Sequence, residues 1–443
     1  MPRPFACRTL CCLIATLVVV GACAPSSTPV APAPSTRYED LVALFDDWRA
    51  FQQPELVDGI PDYTAPAMAT QQRALATYQR RLAAIDPSGW PVAQQVDYQL
   101  VRAEMNGLDF DHRVLRPWAR NPAFYTMIFP AQSDVPAHEG PVIHGWIDLW
   151  RFEFPLTPDG AAELGARLRT IPPLLEQARG NLVGDARDLW LMSIRSMKGQ
   201  SVDLSALAER LAGSNDELES DVRSAREATD AFRAWLESEA SSKRGPSGVG
   251  IDNYDWYLKN VHLIPYTWQE EVTIMRRELA RAHAALRLEE HRNRDLPPLR
   301  RIASAAEYNR RLNDAVTEYM AFLRDQKIIS IRDYMDAALR ARIGRFTPAE
   351  GLRGFFDEAN YRDPLVMRTH NFHWIDLARM VEEPHPSPMR QVPLLYNIFD
   401  ARAEGLATAM EEMMMHAGLF EERPPASSST FSWRSVPRGP WAA

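Results

Sequence analysis

An all-α, predominantly helical fold is what this sequence predicts, and three observations carry the prediction. Apolar residues recur at steps of three and four, as in Leu41, Leu44, Phe45 and Trp48, and again in Leu75, Tyr78, Leu82 and Ile85; that is the period of one helix face. The same spacing persists for several turns in 158–182 and 203–238. Sustained two-residue alternation, which marks a half-buried strand, is hard to find. Only 120–145, rich in proline and aromatics, reads as extended or turn.

Taken in order, the chain begins with a leader. Arg3 and Arg8 precede an apolar run from Leu10 to Val20 that is too short to span a bilayer, so 1–22 reads as an export signal. Val20-Gly21-Ala22-Cys23 resembles a bacterial lipobox, which implies cleavage before Cys23 and acylation of its thiol and new amino terminus. All four cysteines, Cys7, Cys11, Cys12 and Cys23, lie in this stretch. A mature chain starting at Cys23 then has no disulfide, no thiol nucleophile and no cysteine-held metal. Residues 23–36, Pro/Ser/Ala-rich, read as a flexible tether. A helical domain is expected over 37–422, with SSKRGPSGVG (241–250) either an internal boundary or a long loop. Periodicity stops near Leu419, and 423–443 is expected to be irregular and to serve no packing role. A net charge of −8 over 443 residues argues against a nucleic-acid surface or a polybasic membrane patch. No Gly-rich phosphate loop and no Gly-x-Ser-x-Gly string appears.

The chemistry concentrates between Pro364 and Leu419. Asp363-Pro364 makes a good helix start, with Pro384 and Pro386 beyond its far end. Val366, His370, His373 and Leu377 then fall on one stripe at steps of four, three and four. Two imidazoles on an inward face point to a metal or to hydrogen-bonded core histidines. A second, methionine-rich helix follows, written FDARAEGLATAMEEMMMHAGLF (399–420), with Asp400, Glu404 and Glu411 on one face. Carboxylates on an embedded helix need cations, either a metal or an arginine such as Arg402, Arg379 or Arg368. His144 and His262, among aromatics, read as core or cleft lining.

YDWYLKNVHLIPYTWQEEVTIMRREL (254–279) and AEGLATAMEEMMMHAGLF (403–420) together resemble the domain-of-unknown-function 885 family. The resemblance implies a largely helical, frequently lipid-anchored bacterial protein related to gluzincin-type zinc metallopeptidases. It implies zinc held by His370 and His373 (His385 being the alternative second imidazole) with Glu404 of the Glu404-Gly405 string as third ligand. Asn371 stands where the family places its general-base glutamate, no Pro-Gly-His string follows, and His373 lies closer than the family spacing. Glu411, Glu382 or Glu383 is then expected as the base.

Two functions compete at this level: zinc-dependent hydrolysis of a peptide or other small envelope substrate, and a non-catalytic binding lipoprotein that keeps the helical cleft. Acylated Cys23 would hold either one in the lipid bilayer. By resemblance to lipoproteins of two-membraned bacteria, the periplasmic face of the outer membrane is expected. The family usually continues through further helices after the Glu-Gly string, so a C-terminally shortened chain is also expected. Substrate, cleavage mode and oligomeric state are not written in the sequence.

Overall fold

The structure, a computed structural model, describes residues 34–132, 146–213, 215–297, 299–348, 354–391, 394–396 and 403–421. Cys23, His144, Asp400, Arg402 and the 423–443 segment lie outside them. The chain is predominantly helical, and its only sheets among the described residues are two-stranded: β1 (Leu56–Val57) with β2 (Ile60–Pro61), antiparallel, and β3 (Ile128–Phe129) with β4 (Ile147–Asp148), parallel. None of the described helices is long and apolar enough to cross a membrane.

Helices α1 (Tyr38–Phe51), α2 (Ala65–Ala83) and α3 (Val92–Phe110) form the first layer. The stripe Leu41, Leu44, Phe45 and Trp48 is buried against Leu75, Leu82, Val101 and Met105, as the four-three spacing requires. Ser35 and Thr36, inside the stretch 23–36 expected as a tether, are hydrogen-bonded to the first layer. Ser35 already pairs with the end of α2 (Ser35 N to Ala84 O, 2.8 Å), and Trp90 Nε1 donates to Thr36 O at 2.6 Å. An indole donor and a backbone pair outweigh the Pro/Ser composition there.

A one-turn π-helix, Asp111–Leu115, follows α3 and ends on Arg116 in the left-handed region (φ 44°). Short α4 (Pro117–Arg120) leads to a second core built by α5 (Pro158–Leu168), α6 (Ile171–Asn181), α7 (Arg187–Leu211) and α8 (Asp216–Glu239) around Trp190 and Phe232. Within 120–145, the part expected to be extended or turned contains a 3-10 turn at Pro122–Tyr125 and β3. The segment 241–250 is a loop laced onto the start of α7: Gly245 N reaches Asp185 O at 2.7 Å, and Asp188 N donates to Ser247 Oγ at 2.8 Å.

The chain then forms α9 (Ile251–Tyr257) and α10 (Trp268–Arg292), the latter opened by a Thr267/Glu270 capping box. Helix α10 buries only Ala282 and is tied to the last helix by Arg281–Glu412 at 2.9 Å. The third core joins α11 (Ala305–Asp325), α12 (Asp333–Arg340), α14 (Pro364–His370), α15 (Phe372–Glu382) and α16 (Gly405–His416), with α13 (Phe355–Arg362) entering α14.

One buried polar cluster ties the first layer to the segment at Leu395 and Tyr396. Glu104 on α3, wholly buried, accepts from Leu395 N (3.2 Å), Tyr396 N (3.0 Å) and Gln52 Nε2 (3.3 Å), with Arg49 Nη1 at 3.8 Å. The ring of Tyr396 lies on Gly107, where a Cβ would come within 2.2 Å of it. Its hydroxyl donates to Asp111 Oδ2 at 2.9 Å. Burial pushes the Asp111 carboxyl up to about 7 and the neighbouring His112 imidazole down to about 4.

Candidate metal centre

The helix read from Asp363 starts as expected. The Asp363 carboxylate accepts the Leu365 N–H at 3.2 Å and Pro364 fills the first turn. It does not run unbroken past His373. Helix α14 ends at His370, Asn371 turns at φ −67°, ψ 7°, and α15 restarts at Phe372. The backbone ladder is stepped rather than lost: Asn371 N reaches Met367 O at 3.0 Å, and Trp374 N reaches Asn371 O at 3.0 Å. The step sets the two imidazoles against each other, with ring centroids 5.1 Å apart and planes at 81°. Both side chains are buried.

Helix α16 brings the carboxylates. Glu404 sits at its N-terminal edge, and Met410 and Met414 anchor the helix in the third core, while Met413 is exposed. His370, His373 and Glu404 each offer one ligand atom, all within 4.8 Å of one another. Glu411, two turns further on, places Oε1 2.6 Å from His370 Nδ1 with both side chains buried. The sequence singled out Glu411 as a base; in the structure its carboxylate is hydrogen-bonded to the His370 imidazole.

The remaining expected residues fall elsewhere. Glu382 and Glu383 are exposed at the far end of α15, nine residues or about 14 Å along the helix from His373. Glu383 faces Arg332 at 2.8 Å. Neither is therefore placed to serve as the base. His385 accepts from Ser387 N at 3.0 Å within a local turn, and it is His373 that the fold sets beside His370. His262 packs edge-on against Tyr257 in a second π-turn, Leu258–His262. Of the arginines, Arg379 pairs with Asp376 at 3.0 Å and Arg368 donates to Asn360 Oδ1 at 3.1 Å. Burial lowers the Arg368 guanidinium to about 10. Sequence reasoning missed Trp374 and Arg342: the indole stands edge-on to His373 (centroids 5.3 Å), and the Arg342 guanidinium lies 3.8 Å over it. Trp374 follows His373 directly, but nothing in the spacing marks an arginine from another part of the chain.

Does this donor set fit zinc? Two imidazole nitrogens and one carboxylate oxygen are the ligand types zinc takes at about 2.0–2.2 Å in a tetrahedron, which sets ligand separations of about 3.3–3.6 Å. The three ligand atoms, all within 4.8 Å of one another, reach that separation by side-chain rotations that move them about 1 Å. The Asn371 Oδ1 atom, between the two histidines in sequence, is buried without a hydrogen-bond partner. The residues fit the metal.

A helical protein with a His-His-Glu cluster, its histidines buried and its glutamate half-buried, is thus what the fold and geometry define. It belongs to a family of bacterial proteins of unknown function, DUF885, whose pattern matches residues 51–372. Among solved structures, it is similar to a candidate lipoprotein of unknown function from Shewanella oneidensis, with a TM-score of 0.61 and 16% identity over 90% of this chain and 81% of that one. At that identity the likeness is one of fold. No curated protein matches the chain.

Proposed function

We propose that this protein is an envelope-tethered, zinc-dependent hydrolase of peptide bonds. The observation that carries the reading is the convergence of His370, His373 and Glu404 within 4.8 Å, with Glu411 fixed on His370 at 2.6 Å. Bound zinc supplies a Lewis acid that polarises a carbonyl and lowers the pKa of coordinated water toward about 7. The chain's own residues do the rest. Glu411 holds the His370 Nδ1–H, which leaves Nε2 as the donor facing the site. The Asn371 amide orients a water or a substrate carbonyl by hydrogen bonding but takes up no proton. Metal analysis of gently purified protein and cleavage of a peptide library with added zinc test the reading. About one zinc per chain and turnover are expected, both lost in Glu404→Ala; protein free of metal sinks it.

Asn371 favours a second reading, a binding protein that retains the metal without turnover, because a non-ionisable amide sits between the two histidines. Stoichiometric zinc with no cleavage in the same assay selects that reading.

Tethering rests on the leader and lipobox-like Cys23, supported by the lipoprotein description of the Shewanella oneidensis protein. A single acyl chain binds membranes weakly and two anchor stably, so Cys23→Ala is expected to release the protein from the membrane fraction. Unchanged membrane association of the variant removes the anchor. If the anchor holds, fractionation of inner from outer membranes places it.

A further inference from the structure

A groove of about 310 Å³ opens at the start of α7, lined by Arg187, Leu191, Ala240, Ser241, Lys243 and Arg244. Three of those side chains are cationic and none is acidic, in a chain whose net charge is −8. The backbone gathers them. Gly245 N donates to Asp185 O at 2.7 Å, Arg187 N to Gly245 O at 3.2 Å, and Arg244 N to Asp185 Oδ1 at 2.7 Å. That approach needs glycine, since a Cβ on Gly245 would fall 2.8 Å from Asp185 O. The segment 243–245 is thus clamped onto the start of α7, which brings Lys243 and Arg244 to the same groove as Arg187.

The three cations differ in what already holds them. Lys243 is half-buried, its ammonium 4.0 Å over the Trp190 ring and 3.4 Å from Gly184 O. An ammonium has three donors, and that carbonyl takes one of them. Arg187 pairs with Asp188 at 3.2 Å between exposed side chains, a contact that holds it weakly. Asp185 gives its oxygen to the Arg244 amide, and the Arg244 guanidinium has no hydrogen bond or ion pair among the described residues. Like charges gathered at one groove repel, and an anion seated among them relieves the repulsion.

We propose that this groove binds a phosphate monoester, carried either by a lipid headgroup or by a small free metabolite. It shares no residue with the His-His-Glu cluster, and its ligand is independent of the hydrolase reading. A phosphate monoester carries about 1.5–2 negative charges and three acceptor oxygens. Guanidiniums meet such oxygens in parallel pairs, and an ammonium meets them as a point charge. Ser241 adds a hydroxyl donor to the lining. A single carboxylate, with one charge and two oxygens, leaves part of this donor set unused. Leu191 and Ala240 supply apolar contact for the carbon group that bears the phosphate.

The test is calorimetric titration of the full chain with glycerol 3-phosphate, with dihexanoyl phosphatidate kept monomeric, and with succinate as a carboxylate dianion. Saturable binding of a phosphate probe is expected, on the order of tenfold or more tighter than succinate. A clear preference for the phosphatidate assigns the site to a lipid, and equal or tighter binding of glycerol 3-phosphate assigns it to a free phosphate. Lys243→Gln and Arg244→Gln are each expected to weaken binding on the order of tenfold, the range of a charged hydrogen bond. Thermal melts of these variants check that the fold is kept. Arg73→Gln, which removes an exposed cation on α2, is expected to change nothing. Absence of saturable binding in the wild type overturns the proposal, as does succinate binding as tightly as either phosphate. Affinity that survives in the Lys243→Gln/Arg244→Gln double variant also overturns it, and so does an equal loss in Arg73→Gln, because attraction is then to net charge and not to the groove.

Discussion

Asp111→Asn is expected to stabilise this protein by about 4 kcal/mol at pH 8 and by less than half of that at pH 5. The reason is the burial of a carboxyl whose folded-state value is pushed from 3.8 up to about 7. Below 3.8 both folded and unfolded chains keep the proton, and the group is neutral to stability. Between 3.8 and about 7 the unfolded chain loses the proton while the folded chain holds it. The folded state is therefore destabilised by about 1.36 kcal/mol for each pH unit climbed. Above about 7 both are ionised and the full penalty of about 4 kcal/mol is present. Asparagine is nearly isosteric, cannot ionise, and keeps an oxygen for the Tyr396 hydroxyl that now donates at 2.9 Å. Urea unfolding of both proteins at pH 5 and pH 8 measures the difference. An effect that is small, or that does not grow with pH, means that Asp111 is ionised and well solvated in the folded chain.

That carboxyl was not legible in the sequence, and the reason is physical. Glu104 and Asp111 sit seven residues apart on what reads as an ordinary helix with a solvated acidic face. Their partners, Leu395 and Tyr396, come from segments 291, 292 and 285 residues away along the chain. Local periodicity reports which face is apolar, not which buried charge a distant backbone N–H will satisfy. The same limit explains Arg342 over Trp374. The helices themselves were legible because their stripes are local: Leu41 to Trp48 and Leu75 to Ile85 need no distant information.

The His-His-Glu region was legible in part. Spacing and the Glu404-Gly405 resemblance singled out His370, His373 and Glu404, and the fold brings those three together. Periodicity did not reveal the step at Asn371. An asparagine is tolerated in helix and turn alike, and the bridge conformation it adopts, ψ near zero, leaves helical spacing nearly intact in the sequence. Yet the step matters, because it lets rings on successive short helices meet at 5.1 Å. Likewise, one-face spacing put Glu411 beside Glu404 without saying whether it faces substrate or imidazole.

That last ambiguity defines the other large effect. If Glu411 positions His370, Glu411→Gln weakens zinc binding by about 10- to 100-fold, the usual loss when the carboxylate behind a ligating histidine is removed. His370→Ala removes a ligand outright and is expected to weaken binding further. In the double variant the glutamine adds little to the alanine, because Glu411 acts through the imidazole it holds at 2.6 Å. A general base behaves otherwise: Glu411→Gln would then keep zinc affinity at the wild-type level and lose turnover alone. Competition titration with a chromophoric zinc chelator on the four proteins separates the two roles without any substrate. Additive losses from the two substitutions would mean that Glu411 contacts the metal site independently of His370.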